Sequence, residues 1–325
     1  MALRLGNSLA GSVALGGSSK QSEFSVLFDG SNDYIKTGGD ASTKPTSALT
    51  VSAWVNMDTS VSGYGWPNPD GNSDHSQHIV GCIAVGGYGM SIVYAGTAAN
   101  PMTYILANAK VTDRGDGTSN YLHTKHWDKD DFGPESSAAD AGINVRVADG
   151  PPQNALGCAW GGHTSTASGY TLSVIKGLTG FVHVAMTWGA GVMKLYVNGV
   201  LKRTADTGVS SGNNIVHQAD DAREVMIGAD LGVAPSSGAD FLDGLIDDVA
   251  IWDAAIDANG ILKIYNNGPV GTTLTAADGD YDNQGDLQAW WKLSEGTGTS
   301  VADSSTNSNT GTLVNGPAWS TITAG

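Results

Sequence analysis

The sequence is poor in cysteine, in basic residues and in long apolar runs. Its 325 residues include two cysteines, Cys82 and Cys158, so no disulfide framework holds the fold, and whether these two pair is left open. No segment approaches the roughly 20 consecutive apolar residues of a membrane-spanning helix. The N-terminus lacks the continuous apolar core of a secretory signal peptide. We therefore expect neither membrane insertion nor classical secretion.

Basic residues are outnumbered two to one. The chain has 16 Lys and Arg against 32 Asp and Glu, which gives a net charge of −16. Such a charge repels phosphate backbones and anionic lipid surfaces, so nucleic acid is excluded as an expected partner. The acidity could serve solubility, a calcium requirement or a basic partner, and the charge alone leaves these three open.

Glycine is abundant, with 45 residues, while charged residues make up 15% of the chain. This composition is typical of many short strands joined by tight turns. The segment LTVSAWVNM alternates clearly, with Leu49, Val51, Ala53 and Val55 on one face and Trp54 on the other. An aromatic residue on the second face indicates a strand that is covered on both sides.

Two segments carry hairpin signals. FSVLFDG and DYIKTGG, which begin at Phe24 and Asp33, flank a Gly-Ser-Asn turn and predict a hairpin. Within VMKLYVNGVLKRTA, the pair Asn198-Gly199 lies between two apolar runs, and both positions tolerate a positive φ. The second signal is the stronger of the two.

One short helix is predicted near residues 254–266. Ile256, Ile261, Leu262 and Tyr265 can line one side of it, and Gly268-Pro269 would end it. Gly260 should weaken this helix by about 1 kcal/mol relative to alanine.

The chain divides into segments of different character. Residues 1–23 are small and polar and predict an N-terminal arm, either docking or disordered; residues 24–319 predict a single sandwich. Within the sandwich, residues 58–170 combine strand-like pieces with long polar stretches and predict a decorated insertion. Residues 287–319 form a closing C-terminal segment, and 320–325 are a tail.

Several motifs, in this order, resemble the laminin-G-like, concanavalin-A-like lectin and glucanase superfamily, especially its bacterial and phage branch. They are VLFDGSNDYI, LTVSAWV, GFVHVAMTW, KLYVNGVLK, GLIDDVAIWDAAI and IYNNG, at 26–35, 49–55, 180–188, 194–202, 244–256 and 264–268. The resemblance implies an all-β fold, a two-sheet antiparallel jelly-roll sandwich with large loop insertions and the one helix.

The segment at 289–319 looks like the opening of such domains, yet here it closes the chain. Three arrangements are compatible with this position: one circularly permuted sandwich, a second half-domain, or a segment that completes a neighbouring chain's sheet in a homo-oligomer. The first is the simplest, because some 35 residues bury too little apolar surface to fold alone.

The superfamily's glucanases use two carboxylates spaced two apart on one strand, so that both face the same side. None of the four glutamates in this chain has such a partner. Asp247 and Asp248 are adjacent, which on a regular strand directs them to opposite faces. We therefore expect no enzyme.

The resemblance implies two candidate sites. One is a structural Ca²⁺ near the FDG turn and the IDDV strand, carried over to Asp29, Asp33 and Asp247, for which hydrogen bonding within the turn is the alternative. The other is a glycan site on loops that present aromatic rings for sugar stacking. Its candidates, for which partial core burial is the alternative, are Tyr64, Trp66, Trp127 and Trp160.

The resemblance to phage virion proteins predicts a non-enzymatic structural protein of a virion, as a capsid decoration, a fibre-like protein or a tail adhesin. The arm at 1–23 would dock it on other virion proteins, and the partner outside would be a host-surface glycan. The main alternative is a carbohydrate-binding or adhesion domain of a bacterium, located outside the cell or at its surface. A polysaccharide hydrolase is the third.

Overall fold

The computed structural model describes most of the predicted sandwich. The described residues are 24–38, 41–57, 75–82, 87–97, 100–112, 155–163, 180–209, 211–217, 224–229, 241–271 and 273–321, without the side chains at 57, 75–76, 93–104, 155–163, 205 and 269–271. The predicted arm at 1–23 lies outside them. In the described part of the chain, no helix is long and apolar enough to cross a membrane.

The described residues form sixteen strands and one α-helix, with short 3-10 turns at Ala41–Thr43 and Asn283–Asp286. The strands are β1 Phe24–Asp29, β2 Tyr34–Lys36, β3 Ala48–Met57, β4 His75–Gly81, β5 Tyr88–Thr97, β6 Asn100–Lys110, β7 Ala155–His163, β8 Val182–Gly189, β9 Val192–Val197, β10 Val200–Asp206, β11 Met226–Ile227, β12 Asp243–Trp252, β13 Leu287–Trp291, β14 Ser300–Val301, β15 Gly311–Val314 and β16 Ala318–Thr321. The helix, α1, spans Ala258–Gly271.

The strands form two antiparallel sheets of eight strands each. Sheet A has the order β10-β9-β8-β3-β12-β1-β16, and β13 joins it by pairing with β12. Sheet B has the order β14-β15-β2-β11-β4-β5-β6-β7. Apolar residues from both sheets pack into one buried cluster, which makes the fold a sandwich, as predicted.

The alternation predicted for β3 is confirmed. Leu49, Val51, Ala53 and Val55 are all buried in the cluster between the sheets. Trp54 points to the other face of sheet A and is buried too. The outer face is covered there because α1 and the residues after it pack on sheet A.

A second apolar cluster lies on the outer face of sheet A. It combines strand residues with residues from 256–264 and from 274–290, namely Ala185, Tyr196, Ala250, Trp252, Ile256, Ile261, Ile264, Leu274, Tyr281, Leu287 and Trp290. This second layer explains why sheet A carries large apolar side chains on both faces.

The predicted helix exists, but its bounds and its buried face differ from expectation. It begins at Ala258 because Asp257 caps it, accepting the backbone N–H of Gly260 at 2.8 Å. Helical geometry breaks at Gly268, where φ is 63°. Ile264 is buried in place of Leu262, which is exposed.

The hairpin predicted for the first two strands is wrong. β1 pairs with β12 and β16 in sheet A, whereas β2 pairs with β11 and β15 in sheet B. The turn between them therefore joins the two sheets. The predicted hairpin at Asn198-Gly199 is confirmed, with φ of 50° and 73° at the two turn residues.

The predicted insertion at 58–170 supplies β4 to β7, which are four of the eight strands of sheet B. The segment predicted as an insertion is therefore a large part of sheet B.

The C-terminal segment pairs with strands of its own chain in both sheets. β13 pairs with β12, β15 with β2, and β16 with β1. Phe24 and Thr321 are direct partners on β1 and β16, so the two ends of the described sandwich lie side by side.

One carboxylate holds the turn of this segment. Asp303 accepts the backbone N–H groups of Trp290, Ser305 and Asn309, each at 2.8 Å. It also accepts the Ser305 hydroxyl at 2.7 Å and the Asn309 side-chain amide at 3.1 Å. A single side chain thus links the loop after β14 to the end of β13 and to the residues just before β15.

Candidate functional site

The turn after β1 brings two of the predicted calcium ligands together. The Asp29 carboxylate accepts the backbone N–H groups of Ser31 at 2.9 Å and Asn32 at 3.4 Å. Asp33 in turn accepts the backbone N–H of Asp29 at 3.2 Å. Burial, and then the charge of Asp29, raises the pKa of Asp33. The two carboxylates are close enough to repel each other.

A third carboxylate, not found from the sequence, faces this turn. Asp243 is the direct partner of Asp29 across β1 and β12. Its backbone N–H donates to the side-chain oxygen of Gln77 at 3.2 Å. The side-chain nitrogen of Gln77 is buried and has no hydrogen-bond partner among the described residues. Asp243 lies beside Asp29 because β1 pairs with β12, and these strands are some 215 residues apart in the sequence. Local sequence patterns therefore do not indicate this position.

Asp247, the third predicted calcium ligand, lies apart from the turn. It is four residues beyond Asp243 along β12, or about 13 Å at the usual strand rise. It is fully buried and stands opposite Trp54 of β3. Among the described residues, no group of three or more His, Cys, Asp or Glu side chains is arranged to hold a metal ion. The structure therefore joins Asp29 to Asp33 but not to Asp247.

β12 is not a regular strand at the two adjacent aspartates. The register with β3 shifts between Asp247 and Ala250, and Asp248 has a φ of 51°. This bulge lets the Asp248 carboxylate accept the indole N–H of Trp290 at 2.6 Å. The ammonium of Lys292 lies 4.3 Å from the Trp290 ring centre, so the ring is held on its face as well.

The predicted aromatic glycan contacts lie beyond what the structure describes. Tyr64, Trp66 and Trp127 are outside the described residues. The backbone of Trp160 pairs with Ile105 of β6, but its side chain is not described. All four stay predictions.

An unanticipated feature is a histidine buried between aromatic rings under α1. The ring of His183 lies 5.3 Å from that of Trp54 and 6.0 Å from that of Tyr265, which themselves stack at 5.7 Å. Neither ring nitrogen has a hydrogen-bond partner in the described part of the chain. Burial lowers the pKa of His183 to about 3, so the ring is neutral at ordinary pH. Alternation along GFVHVAMTW could have indicated an outward-facing histidine, but not the helix that covers it.

A thiol and an imidazole also meet. The Cys82 sulfur lies 3.9 Å from Nδ1 of His217, whose Nε2 is 3.0 Å from the carbonyl oxygen of Pro45. Nε2 therefore donates to the carbonyl and Nδ1 is left to accept from the thiol. A Cβ on Gly87 would stand 2.6 Å from the sulfur. Because this backbone closes over the thiol, the pair is a packing contact, and burial lowers the pKa of His217.

The comparisons with known proteins bear on the fold. A family model described as the concanavalin A-like lectin/glucanases superfamily matches residues 118–262. The predicted resemblance is confirmed over that segment. The two antiparallel sheets and α1 form a concanavalin A-like sandwich, as the motifs imply. No curated protein matches the chain in sequence.

Solved structures show distant similarity. A Bacteroides ovatus protein named, provisionally, as carbohydrate-binding is 17% identical over 93% of this chain, with a TM-score of 0.49. The chain spans 61% of that protein's length. A heptameric pentraxin from Limulus polyphemus is 14% identical, over 76% of this chain and 83% of its own length, with a TM-score of 0.40. Tailspike protein 2 of an Escherichia coli O157:H7 bacteriophage is 9% identical, over 85% of this chain and 31% of its own length, with a TM-score of 0.37.

Proposed function

We propose that the chain is a non-catalytic, lectin-like sandwich that binds carbohydrate as part of a phage particle. The observation that carries the non-catalytic part is that two carboxylates on the described strands, those of Asp29 and Asp248, are engaged in structural contacts. Asp29 closes a turn and Asp248 holds an indole. The superfamily matched by the chain contains lectins and glucanases, and loss of the glucanase carboxylate pair leaves the lectin function.

The carboxylate spacing supports this choice. Glycosidases place their two carboxyl groups about 5 Å apart to retain configuration and about 6.5–9.5 Å apart to invert it. Asp243 and Asp247 lie about 13 Å apart along β12 at the usual strand rise, which is longer than either separation. Asp29 and Asp243 are cross-strand neighbours and are near enough, but Asp29 is already the acceptor for two backbone N–H groups of its turn.

A polysaccharide panel tests the absence of catalysis. We expect the wild-type chain to release no reducing ends from any substrate. Release that disappears in the variant Asp243→Asn, while the variant Asp247→Asn retains it, would assign hydrolysis to the Asp29–Asp243 pair and overturn the proposal.

Carbohydrate binding is tested at the predicted aromatic contacts. Sugar rings stack on Trp and Tyr faces, and each such contact contributes about 0.5–1.5 kcal/mol beyond its buried area. We expect Trp66→Ala and Trp127→Ala to weaken binding on a glycan array by about tenfold each, since 1.4 kcal/mol is a factor of ten. Undiminished binding by both variants would reject these residues as ligand contacts.

The particle role is proposed together with docking through residues 1–23. Because Phe24 pairs with Thr321, the first described residue lies at the β1–β16 edge of sheet A. β10 forms the opposite edge, so an arm docked on a particle would leave that edge facing away. Deletion of residues 1–23 should abolish incorporation into particles while the sandwich still folds. Normal incorporation of the deleted chain contradicts the proposal.

Calcium is proposed for the turn at Asp29 and Asp33 only. The mutual repulsion of these carboxylates would fall on binding a divalent cation, and turn carbonyls and water would supply the remaining oxygen ligands. Removal of calcium by a chelator should then lower the thermal midpoint, because a ligand that binds only the folded state stabilises it. An unchanged thermal midpoint would contradict calcium binding at this turn.

A further inference from the structure

Asparagine followed by glycine is a chemically labile pair, and the sequence contains four such pairs. They are Asn198-Gly199, Asn259-Gly260, Asn267-Gly268 and Asn315-Gly316. The backbone nitrogen of the glycine can attack the side-chain carbonyl carbon of the asparagine, because no β-carbon on the glycine obstructs the approach. Whether a pair reacts in the folded chain therefore depends on how freely these two groups move.

The structure restrains three of the four pairs. Their glycines are all buried. The backbone N–H of Gly260, which would be the nucleophile, donates to the Asp257 carboxylate at 2.8 Å. The side-chain oxygen of Asn198 accepts a backbone N–H at 3.0 Å, and the side-chain amide of Asn267 donates to Asp278. In each of these pairs a hydrogen bond holds one of the two reacting groups.

The fourth pair is exposed at both of its residues. Asn315 and Gly316 lie in the loop between β15 and β16. A Cβ on Gly316 would meet no atom within 4 Å. In the described part of the chain, the backbone N–H of Gly316 makes no hydrogen bond. The nucleophile of this pair is therefore neither covered nor engaged.

The Asn315 side chain links two loops of the sandwich. Its amide donates to the carbonyl oxygen of Asn32 at 2.8 Å. Asn32 is exposed in the turn from β1 to β2, and Asn315 lies in the loop from β15 to β16. Both loops cross between the two sheets, and they lie side by side because β1 pairs with β16 and β2 pairs with β15. Since this hydrogen bond lies at the surface, it can open without disturbing the core.

We propose that Asn315 is a site of spontaneous deamidation, which converts the amide of this link into a carboxylate. The Gly316 nitrogen loses its proton to solvent and forms a bond to Cγ of Asn315. The bond from Cγ to Nδ2 breaks, and Nδ2 takes up a proton and leaves as ammonia. Water then opens the succinimide ring at either carbonyl, which gives aspartate or isoaspartate. The reaction consumes no reactant other than water.

The product no longer holds the two loops together. A carboxylate at position 315 has no proton to donate to the Asn32 carbonyl, so two acceptor oxygens face each other. The new negative charge also lies beside the turn that holds the Asp29 and Asp33 carboxylates. This inference goes beyond the proposed function and depends on neither carbohydrate nor calcium binding.

Ageing of the full chain in mildly alkaline buffer tests the proposal, with peptide mapping by mass spectrometry to follow each of the four pairs. In the folded chain we expect Asn315 to convert at least about tenfold faster than the other three asparagines, which react only after local opening. In concentrated urea all four pairs should convert at comparable rates, because the fold no longer protects any of them. An Asn315 that keeps its amide in the folded chain, or four pairs that convert equally fast there, overturns the proposal.

The release of the link is measured on Asn315→Asp, with Asn259→Asp as the matched control. Both variants place the same new charge on an exposed asparagine, but Asn259 lies on α1, outside the two loops. Asn315→Asp should speed hydrogen exchange at the backbone amides of Ser31 and Asn32 by about two- to tenfold, which corresponds to the loss of one hydrogen bond. The control should exchange there like the wild type.

Circular dichroism would establish that both variants are folded. Unchanged exchange in Asn315→Asp, or equal acceleration in the control, would contradict the role of Asn315 as a link between the loops.

Discussion

Replacing His183 should remove a specific part of the protein's sensitivity to acid. The pKa of this histidine falls from 6.5 in its ordinary state to about 3 in the folded chain, because the ring is buried without a hydrogen-bond partner. In His183→Phe an aromatic ring still lies between Trp54 and Tyr265, and no ring nitrogen is left to protonate. In His183→Leu the ring is removed as well.

The direction and the size of the change in unfolding free energy with pH follow from proton linkage. The unfolded chain takes up a proton on this histidine below about pH 6.5, whereas the folded chain does so only near about pH 3. The stability contributed by the neutral ring is therefore complete above the unfolded pKa and is lost as the pH falls. Between the two values the loss is about 1.4 kcal/mol per pH unit, or about 2 kcal/mol at about pH 5.

Urea unfolding at a series of pH values measures this difference. Subtracting the variant's free energy of unfolding from that of the wild type cancels the carboxylates and His217, which both proteins share. We expect this difference in the free energy of unfolding to be constant above about pH 7. By about pH 5 the wild type should have lost about 2 kcal/mol of stability relative to each variant. Parallel pH profiles for the wild type and both variants would refute the reasoning, because they would show that His183 titrates alike in the folded and unfolded chains.

Other predictions concern the C-terminal segment and the β9–β10 turn. Asp303→Ala should cost about 2–4 kcal/mol of unfolding free energy, because it leaves the N–H groups of Trp290 and Asn309 without their acceptor. Denaturant titration measures the cost, and a loss below about 0.5 kcal/mol, which is within the range of ordinary surface substitutions, would contradict this role. Gly199→Ala combines a positive φ with contacts to α1 that are too close, so it should cost more than Gly208→Ala, which has a similar φ of 69° and open space around it. Equal costs in thermal melts would show that α1 does not press on the turn.

Local patterns predicted those parts of the fold that depend on neighbouring residues. The alternation around Trp54 and the Asn198-Gly199 turn both act within a few residues of the chain. The helix was predicted with a start four residues too early, because the cap at Asp257 is a single hydrogen bond with little signal in the periodicity.

What depends on distant pairing was not predictable from local pattern. β1 looks like half of a hairpin until β12 and β16 are known to flank it. The bulge at Asp248 breaks the regular strand geometry expected for Asp247 and Asp248, because it is stabilised by Trp290, 42 residues further on. For the same reason, local patterns did not predict that Asp243 lies beside Asp29 or that α1 covers His183.

The most direct test of the central claim is to pass the intact chain over a panel of bacterial surface polysaccharides, recover whatever is retained, and measure its length. A lectin-like sandwich without catalysis should retain at least one polysaccharide and return it at full length. Shortened chains would show that the protein hydrolyses the polysaccharide and would contradict the account, and retention of none would show that the sandwich does not bind carbohydrate.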